Sequence, residues 1–578
     1  MKSAVNAERF FFSPHGRFDP LVEMQAAISA FENQAIVGTQ KQPAGCVFPA
    51  RKRVLEKLLE RRFPESECPD LRAWIKNIDA DEVRLVFAGA YAANPGSILG
   101  HTFLRLSNSR REASGREGVD LLSYSVGFQA IVDGSDNRLS YMLKGLFGGY
   151  DGSYEIEKHY IKVGLYNNSE ARDLWETKID ITGEEVDLLV EHFWELSFNA
   201  SLSYYFVDEN CSYRLITLLE AVRPEIDVSR KLAGVVLPAE TVRAMQEQGW
   251  ARPDLGFRAS IRRRMNLKLA LLSDEQIRVF ERAKTSLTAV DELNDSTAYD
   301  ALLDFWLFEN YRDKGSLPAE RRLLMERAFV RAAELKEPTR FLNDQVVIRR
   351  ELGLKPPFSG HKSRWLYATV GARASGSLMG VGYRSGVHPL AVVDAAYEDV
   401  AAIEYLGADL ELRGGEVARW DLLLLKVDSI ENWLGPDGHP SWKVEIKAAN
   451  RCLLCQSREP QLQMAFAGGV SLRRSRWSLF SLAAVKAVAW TERDSMARPQ
   501  GVLAPGVAIG SRLALFENTG LVANVSQHWW RELTERAIEI RLQSMLRVNH
   551  GLFASVLYEG LEGRTSENTV LTGWLSFF

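Results

Sequence analysis

From residue 361 to the end, the helical period disappears and short segments of alternating character take over. Examples are "SRWLYATVGAR", "GSLMGVGYRS", "AIEYLGADLELR", "VARWDLLLLKVDSI", "QLQMAFAGGVSL", "RWSLFSLAAVKAVAW" and "TGWLSFF". In "SWKVEIKAA" the apolar Trp442, Val444 and Ile446 alternate with Lys443, Glu445 and Lys447, which puts the two sets on opposite faces of one strand. About twelve such segments fit into this stretch, with tryptophan or tyrosine often near a segment end. Strands of about 9–11 residues with an apolar face, a polar face and aromatic ends predict an antiparallel β-barrel of the outer-membrane kind, whose lumen accepts the charges. A soluble antiparallel sandwich also alternates apolar and polar residues and stays open as an alternative.

The final residue, Phe578, closes an aromatic strand-like segment, as in the terminal signal of bacterial outer-membrane barrels. No stretch offers the ~20 uninterrupted apolar residues of a spanning helix. The nearest, around residues 83–100, is broken by Asn94, Pro95 and Gly96. At 578 residues the chain exceeds one core, and about 150 residues per domain predicts three or four units. The formal net charge of -4 gives no basic footprint, so nucleic acid is not an expected partner.

Ahead of the barrel the texture changes twice. Residues 1–80 carry amphipathic helical runs such as "DPLVEMQAAISAFENQ" and "ARKRVLEKLLERRFP". From 81 to 250 strands alternate with helices: "VRLVFAGAY", "HTFLRLS" and "LLSYSVGF" read as strands, and "GEEVDLLVEHFWELSF" as a helix with an acidic first turn. Residues 251–358 return to charged helices, ended by the paired prolines of "LKPPFSG". The expected fold is therefore multidomain α+β: a helical N-terminal region, an α+β domain, a helical linker and the barrel at 361–578.

Five cysteines set the compartment argument. Cys46 and Cys68 bracket a helix-like segment, Cys452 and Cys455 form "CLLC", and Cys211 has no partner nearby. Two close pairs and one odd thiol suit an oxidising envelope compartment, with the odd thiol reactive. Five buried, reduced cysteines in a cytosolic protein are the alternative. The N-terminal residues lack an apolar core of signal-peptide length, so an export signal is expected to lie outside this sequence.

The odd thiol sits in "FVDENCSYRLITLLE", where Cys211 would occupy the first turn of a helix. Helix-start N–H groups and the positive end of the helix dipole would lower its pKa. Upstream, "FAGAYAANPGSILGHTFLRL" runs strand, tight turn, then a strand opening at His101. A helix-borne thiol and a strand-borne imidazole are the parts of a nucleophilic cysteine site. Taken singly, Cys211 reads as a small apolar filler and His101 as a histidine satisfying a turn carbonyl.

The blocks "NPGSILGHTFLRL", "LLSYSVGF", "KGLFGGYDGSY", "NNSEARDLWE" and "YYFVDENCSYRLITLLEA" resemble the signature of the Lnb N-terminal periplasmic domain family over about residues 80–250. That resemblance implies lipoprotein N-acylation, with His101 and Cys211 matching the family's histidine and cysteine. Histidine before cysteine also resembles the circularly permuted papain-like group that contains lecithin:retinol acyltransferase. Family members that acylate lipoproteins can be anchored by membrane helices, and this sequence shows none, which leaves the acyl acceptor open.

The expected chemistry is a thioester route on a phospholipid ester, with Cys211 as nucleophile, His101 as base and acid, and the Cys211 N–H with the Asn210 amide at the oxyanion. Tyr124 is the candidate to orient His101. Lys144 and Tyr150 are candidates for a phosphate headgroup, with a solvated glycine loop as the alternative. His159 and His192 are available as other bases, His192 more as a structural residue. No metal or cofactor is expected. The partners expected are phospholipid, lipoprotein and, through the barrel, the membrane; nothing in the sequence sets an oligomeric state. A peptidoglycan amidase or endopeptidase would use the same pair on an amide. A non-catalytic outer-membrane scaffold is the third reading, favoured by deep burial or a raised pKa of Cys211.

Overall fold

The computed structural model describes residues 2–578 apart from 91–98, 115–117, 133–143, 146–147, 207, 233–235, 313–316, 336–348, 350–352, 398–400, 434–438, 451–459, 475, 492–498, 531–532 and 563–564. The described residues divide into two compact units, one up to residue 353 and one from 354 to 578. The helical segments at both flanks of the αβ region thus belong to one unit with it.

The N-terminal helices form where the sequence places their caps. Asp19 accepts from the N–H groups of Leu21 and Val22 at the start of the helix Pro20–Glu32. A two-residue ladder joins β1 (Ile36–Val37) to β2 (Gln42–Pro43). A disulfide links Cys46 to Cys68 across 22 residues and encloses the helix Pro49–Leu58. Trp194 donates to the Cys46 carbonyl at 3.0 Å and the Arg51 N–H to Glu195 at 2.8 Å, which ties these helices onto the helix Gly183–Asn199. That helix opens with a capping box between Thr182 and Glu185.

The αβ sheet has seven antiparallel strands: β3 (Glu82–Ala88), β4 (His101–Ser107), β5 (Tyr124–Ala130), β6 (Tyr150–Lys158), β7 (Leu174–Ile179), β8 (Leu202–Tyr204) and β9 (Ala251–Arg258). Their spatial order is β8-β6-β5-β4-β3-β7-β9, so β4 and β3 lie in the sheet's interior. On one face, Val86, Phe103, Val163 and Leu174 pack together. The following helices pack around the fully buried Tyr299 and Trp306.

The barrel closes with twelve antiparallel strands paired in sequence order: β10 (Arg364–Arg373), β11 (Gly376–His388), β12 (Ala401–Arg413), β13 (Glu416–Ser429), β14 (Ser441–Ala449), β15 (Gln461–Arg474), β16 (Trp477–Thr491), β17 (Pro499–Phe516), β18 (Thr519–Trp530), β19 (Leu533–Arg547), β20 (His550–Leu561) and β21 (Thr565–Phe577). Trp365 pairs with Phe577 across the seam, and the Phe578 N–H donates to the Arg364 carbonyl at 2.7 Å. This closure excludes the sandwich. Along β10, Leu366, Ala368 and Val370 are exposed while Trp365 and Thr369 are buried, the alternation of an apolar exterior around an enclosed lumen. Trp477, Phe516 and Trp574 are exposed toward one mouth and Trp529 toward the other, the expected aromatic rims. Lys443, Glu445 and Lys447 line the lumen. Among the described residues no helix is long and apolar enough to cross a membrane; the crossing is made by strands.

Candidate functional site

Cys211 is the first residue of the helix Cys211–Val222, and Asn210 caps it. The Asn210 carbonyl oxygen accepts from Ser212 N at 3.0 Å and Tyr213 N at 3.2 Å, while its amide donates to the carbonyls of Val236 at 2.7 Å and Phe206 at 3.2 Å. Those bonds engage the side chain on both sides. Asn210 is thus the helix cap, and the oxyanion role expected of its amide is corrected to a structural one.

His101 opens β4, opposite Ala88 of β3. Gly100 just before it has φ 87°, and a Cβ there would stand 2.8 Å from the Phe87 ring, so only glycine brings the chain into the strand at this point. The Thr102 hydroxyl donates to the Ser212 hydroxyl at 3.0 Å. Ser212 in turn contacts Thr241 at 2.5 Å, and Thr241 donates to the Pro238 carbonyl at 2.7 Å. This buried hydroxyl chain fixes the start of the cysteine helix against the start of the histidine strand.

Cys211 is the free cysteine among the described residues and is 3% exposed. Burial pushes its thiol up, opposed by the polar groups of Thr102 and Ser212 around it and by the charge of Arg172. The expectation of a lowered pKa is thus reversed, because desolvation outweighs the helix-start donors. Burial also holds the His101 imidazole well below its ordinary value, helped by Arg172 and Lys162. At neutral pH the resting pair is a thiol and a neutral imidazole. Among the described hydrogen bonds none joins the two directly; the link runs between their neighbours, Thr102 and Ser212.

Two residues given no role in the sequence reading connect them. The Tyr166 ring lies 5.1 Å from the His101 ring, and its hydroxyl is held in the neutral form mainly by burial, with Cys211 among the groups acting on it. Arg172 donates to the Gly89 carbonyl at 2.5 Å and the Ala88 carbonyl at 3.2 Å, pairs with Glu170 at 2.7 Å, and lies 5.1 Å from the Tyr166 ring. Tyr166 belongs to a π-helical segment, Val163–Ser169, and Ala171 takes the left-handed φ of 50° just before Arg172. Such backbone is uncommon for a residue with a side chain and is found at sites where position matters. The block "NNSEARDLWE" contains Arg172 and was the one sequence signal that pointed here.

Tyr124 is placed elsewhere. It pairs with Leu106, five residues along β4 from His101 (106 minus 101), about 17 Å away at strand rise. The Lys158 ammonium sits 3.6 Å from its ring centroid. The role of orienting His101 is therefore corrected: β5 meets the far end of β4. Lys144 and Tyr150 do come together, ammonium to ring centroid 5.7 Å, with Lys144 exposed and Tyr150 buried. His159 is fully buried, with Nδ1 2.9 Å from the Ser125 hydroxyl and Nε2 3.8 Å from Glu176. Burial, opposed by Glu176, brings its pKa down to about 4. His192 bonds Glu195 at 3.2 Å on its own helix. Among the described residues no group of histidine, cysteine and carboxylates could hold a metal. Cys452 and Cys455 lie outside the described residues.

Fold and site together define a protein of the bacterial envelope: an αβ domain whose buried free cysteine starts a helix that is tied to the strand opening at His101, in one chain with a closed barrel of apolar exterior. Residues 70–248 match the family described as the Lnb N-terminal periplasmic domain. Two further segments, 1–58 and 354–577, match domains of unknown function. The chain is an outer-membrane protein with a periplasmic Lnb-type domain and a C-terminal twelve-strand barrel. No curated protein matches it. Similar solved structures include the KdgM porin (6% identity, 37% of this chain and 99% of that one, TM-score 0.23). An outer membrane channel from Pseudomonas putida F1 is 8% identical over 38% of this chain and 96% of that one, TM-score 0.26. The NanC porin is 11% identical over 37% and 99%, TM-score 0.24.

Proposed function

We propose that the Lnb-type domain is a cysteine-dependent acyltransferase acting on phospholipid. The observation that carries this reading is the joining of the Cys211 helix start to the His101 strand start through Thr102 and Ser212. His101, neutral at working pH, accepts the Cys211 proton as the sulfur attacks an ester carbonyl. The C–S bond forms and the ester C–O bond breaks, and His101 returns the proton to the departing lysophospholipid oxygen. A lipoprotein amine, or water, then attacks the thioester and restores the thiol. The Cys211 N–H supports the oxyanion and the Arg172 charge favours the thiolate. The barrel in the same chain puts the domain in the envelope, the compartment that holds phospholipid, which supports a lipid substrate.

Mass spectrometry after incubation with phospholipid tests this: an acyl adduct on Cys211, absent from Cys211→Ser and from His101→Ala, is expected. Cleavage of peptidoglycan fragments in its place would select the amidase. The 3% exposure and raised pKa of Cys211 favour a second reading, a non-catalytic binding module on a membrane anchor. An inert Cys211 toward both substrates would select it.

A further inference from the structure

The segment after β11 does not project from the barrel. Leu390 and Ala391 pack against Ala402, Phe480, Leu482 and Val522, and Val392 packs against Trp365, Met545, Phe553 and Phe577. These partners stand on β10, β12, β16, β18, β19, β20 and β21. One short segment reaches all of them only from inside the lumen. Arg512 of β17 donates to the Leu390 carbonyl at 2.9 Å and the Val392 carbonyl at 3.2 Å, which satisfies backbone that would otherwise be stranded in the interior. Gly520 of β18 makes the seat: a Cβ there would stand 2.5 Å from the Ala391 carbonyl oxygen.

The segment is also held at its rim. His361 and His388 share a ring-nitrogen contact of 3.0 Å, the His361 N–H donates to Asp394 at 3.0 Å, and the Tyr397 hydroxyl donates to the His361 carbonyl at 2.7 Å. All this lies at the mouth where the barrel begins and ends, beside Phe577. Beyond the segment is a cavity of about 510 Å³ whose wall includes Leu390 and Ala391. Its charges are paired around the wall: Arg384 with Asp409, Lys443 with Asp428 at 3.1 Å, Arg419 with Glu559 at 3.4 Å, Lys486 with Glu535 at 2.6 Å. A lumen lined this way has no ring of one sign to select a cation or an anion.

We propose that the barrel is a plugged conduit for small hydrophilic solutes, with residues 389–397 as the plug. A structural barrel with no passage would fill its interior with side chains of its own strands; here a separate segment occupies one mouth and a polar cavity remains beyond it. The conduit does not depend on the chemistry of Cys211.

The test uses the full chain in planar bilayers in KCl, and arabinose uptake into vesicles. Gly520→Leu should push the plug from its seat and raise mean conductance about tenfold or more over the parent, with a reversal potential near zero in a salt gradient. In the pair Val393→Cys with Gly520→Cys, reduction should raise conductance and oxidation return the same barrel to the closed level. Heat-modifiable migration reports that each barrel has folded. A folded Gly520→Leu barrel that conducts no more than the parent would overturn the proposal. So would a parent that already conducts fully, an open state strongly selective for one sign of ion, or a cysteine pair indifferent to redox state.

Discussion

The Thr102 hydroxyl donates to the Ser212 hydroxyl over 3.0 Å, joining the residue after His101 to the residue after Cys211. Side chains one position further along each element thus tie the start of the histidine strand to the start of the cysteine helix. Thr102→Val keeps shape and volume but deletes the donor, while Ser212 keeps its contact with Thr241. A loss of about 1 kcal/mol in stability is expected. Under the acyltransfer reading, the acylation rate should fall about tenfold or more, because the pair loses its register. Rates measured on the folded variant check this; an unchanged rate would show that the hydroxyl chain serves stability alone.

Alkylation of Cys211 gives the second prediction. Burial pushes the thiol above its ordinary value, and Arg172 opposes that shift. Iodoacetamide labelling of the folded protein should therefore rise with pH along a curve displaced to the alkaline side of a free cysteine. Arg172→Met should displace it further, since a cation that favours the thiolate is gone. The same change should raise the His101 pKa, because Arg172 holds it down. Upward shifts of both groups are the signature; a rise in one with a fall in the other would mean the fold around them had changed.

Acid should loosen the αβ sheet in two stages. His159 has a folded pKa of about 4, below the ordinary histidine value, so the unfolded chain binds the extra proton first. The stability of keeping it neutral is present above about 6.5 and lost as pH falls toward 4, about 3 kcal/mol in all. Glu176, buried against Arg105, is lowered to about 2, so its contribution is present above its ordinary value and lost between about 4.5 and 2. Both terms make stability fall with falling pH. The protection factors of the β4 and β7 amides, exchange rates corrected for the intrinsic pH dependence, should fall below pH 6.5, and His159→Gln should flatten the limb between 6.5 and 4.

The Cys46–Cys68 bridge closes a loop of 22 residues, worth on the order of 3 kcal/mol by chain entropy. Peptide mapping of unreduced, denatured protein should recover these two cysteines as one linked peptide and Cys211 as a free thiol. Cys46→Ser with Cys68→Ser should lower the unfolding midpoint of the αβ unit without altering barrel migration.

Elements whose pattern is local were legible in the sequence. The barrel strands announced themselves because the side-chain period is two and each strand pairs with its neighbour in sequence, so about twelve segments were countable in the sequence and twelve strands close, with Trp365 opposite Phe577. The helix start at Cys211 was equally visible, since "DENC" supplies the cap. Tyr124 failed because hairpin reasoning fixes which strands pair and not their offset; β5 joins β4 only at residues 104–106. The cysteine pKa failed because a helix start is visible in sequence and desolvation is not. Tyr166 and Arg172 escaped because a π-helical turn and a left-handed alanine place them, and neither follows from periodicity. The lumen plug escaped for the same reason: residues 389–397 look like any connecting loop until their contacts are known.

The barrel's two faces differ in what they tolerate, and that gives the last prediction. Val370 is 55% exposed midway along β10, where the exterior meets hydrocarbon, whereas Glu559 faces Arg419 inside the lumen. Val370→Arg places a cation against lipid tails, and a cost of about 2–4 kcal/mol is expected near the midplane. Glu559→Gln removes one partner of an ion pair in a polar cavity, where neighbouring Asp421 still faces Arg419 at 3.2 Å, so its cost should be smaller, about 1 kcal/mol or less. Urea titration of each variant in vesicles, followed by heat-modifiable migration, compares the two. The order of the two costs matters more than their size: a water-facing exterior would make Val370→Arg nearly neutral and leave Glu559→Gln the worse change.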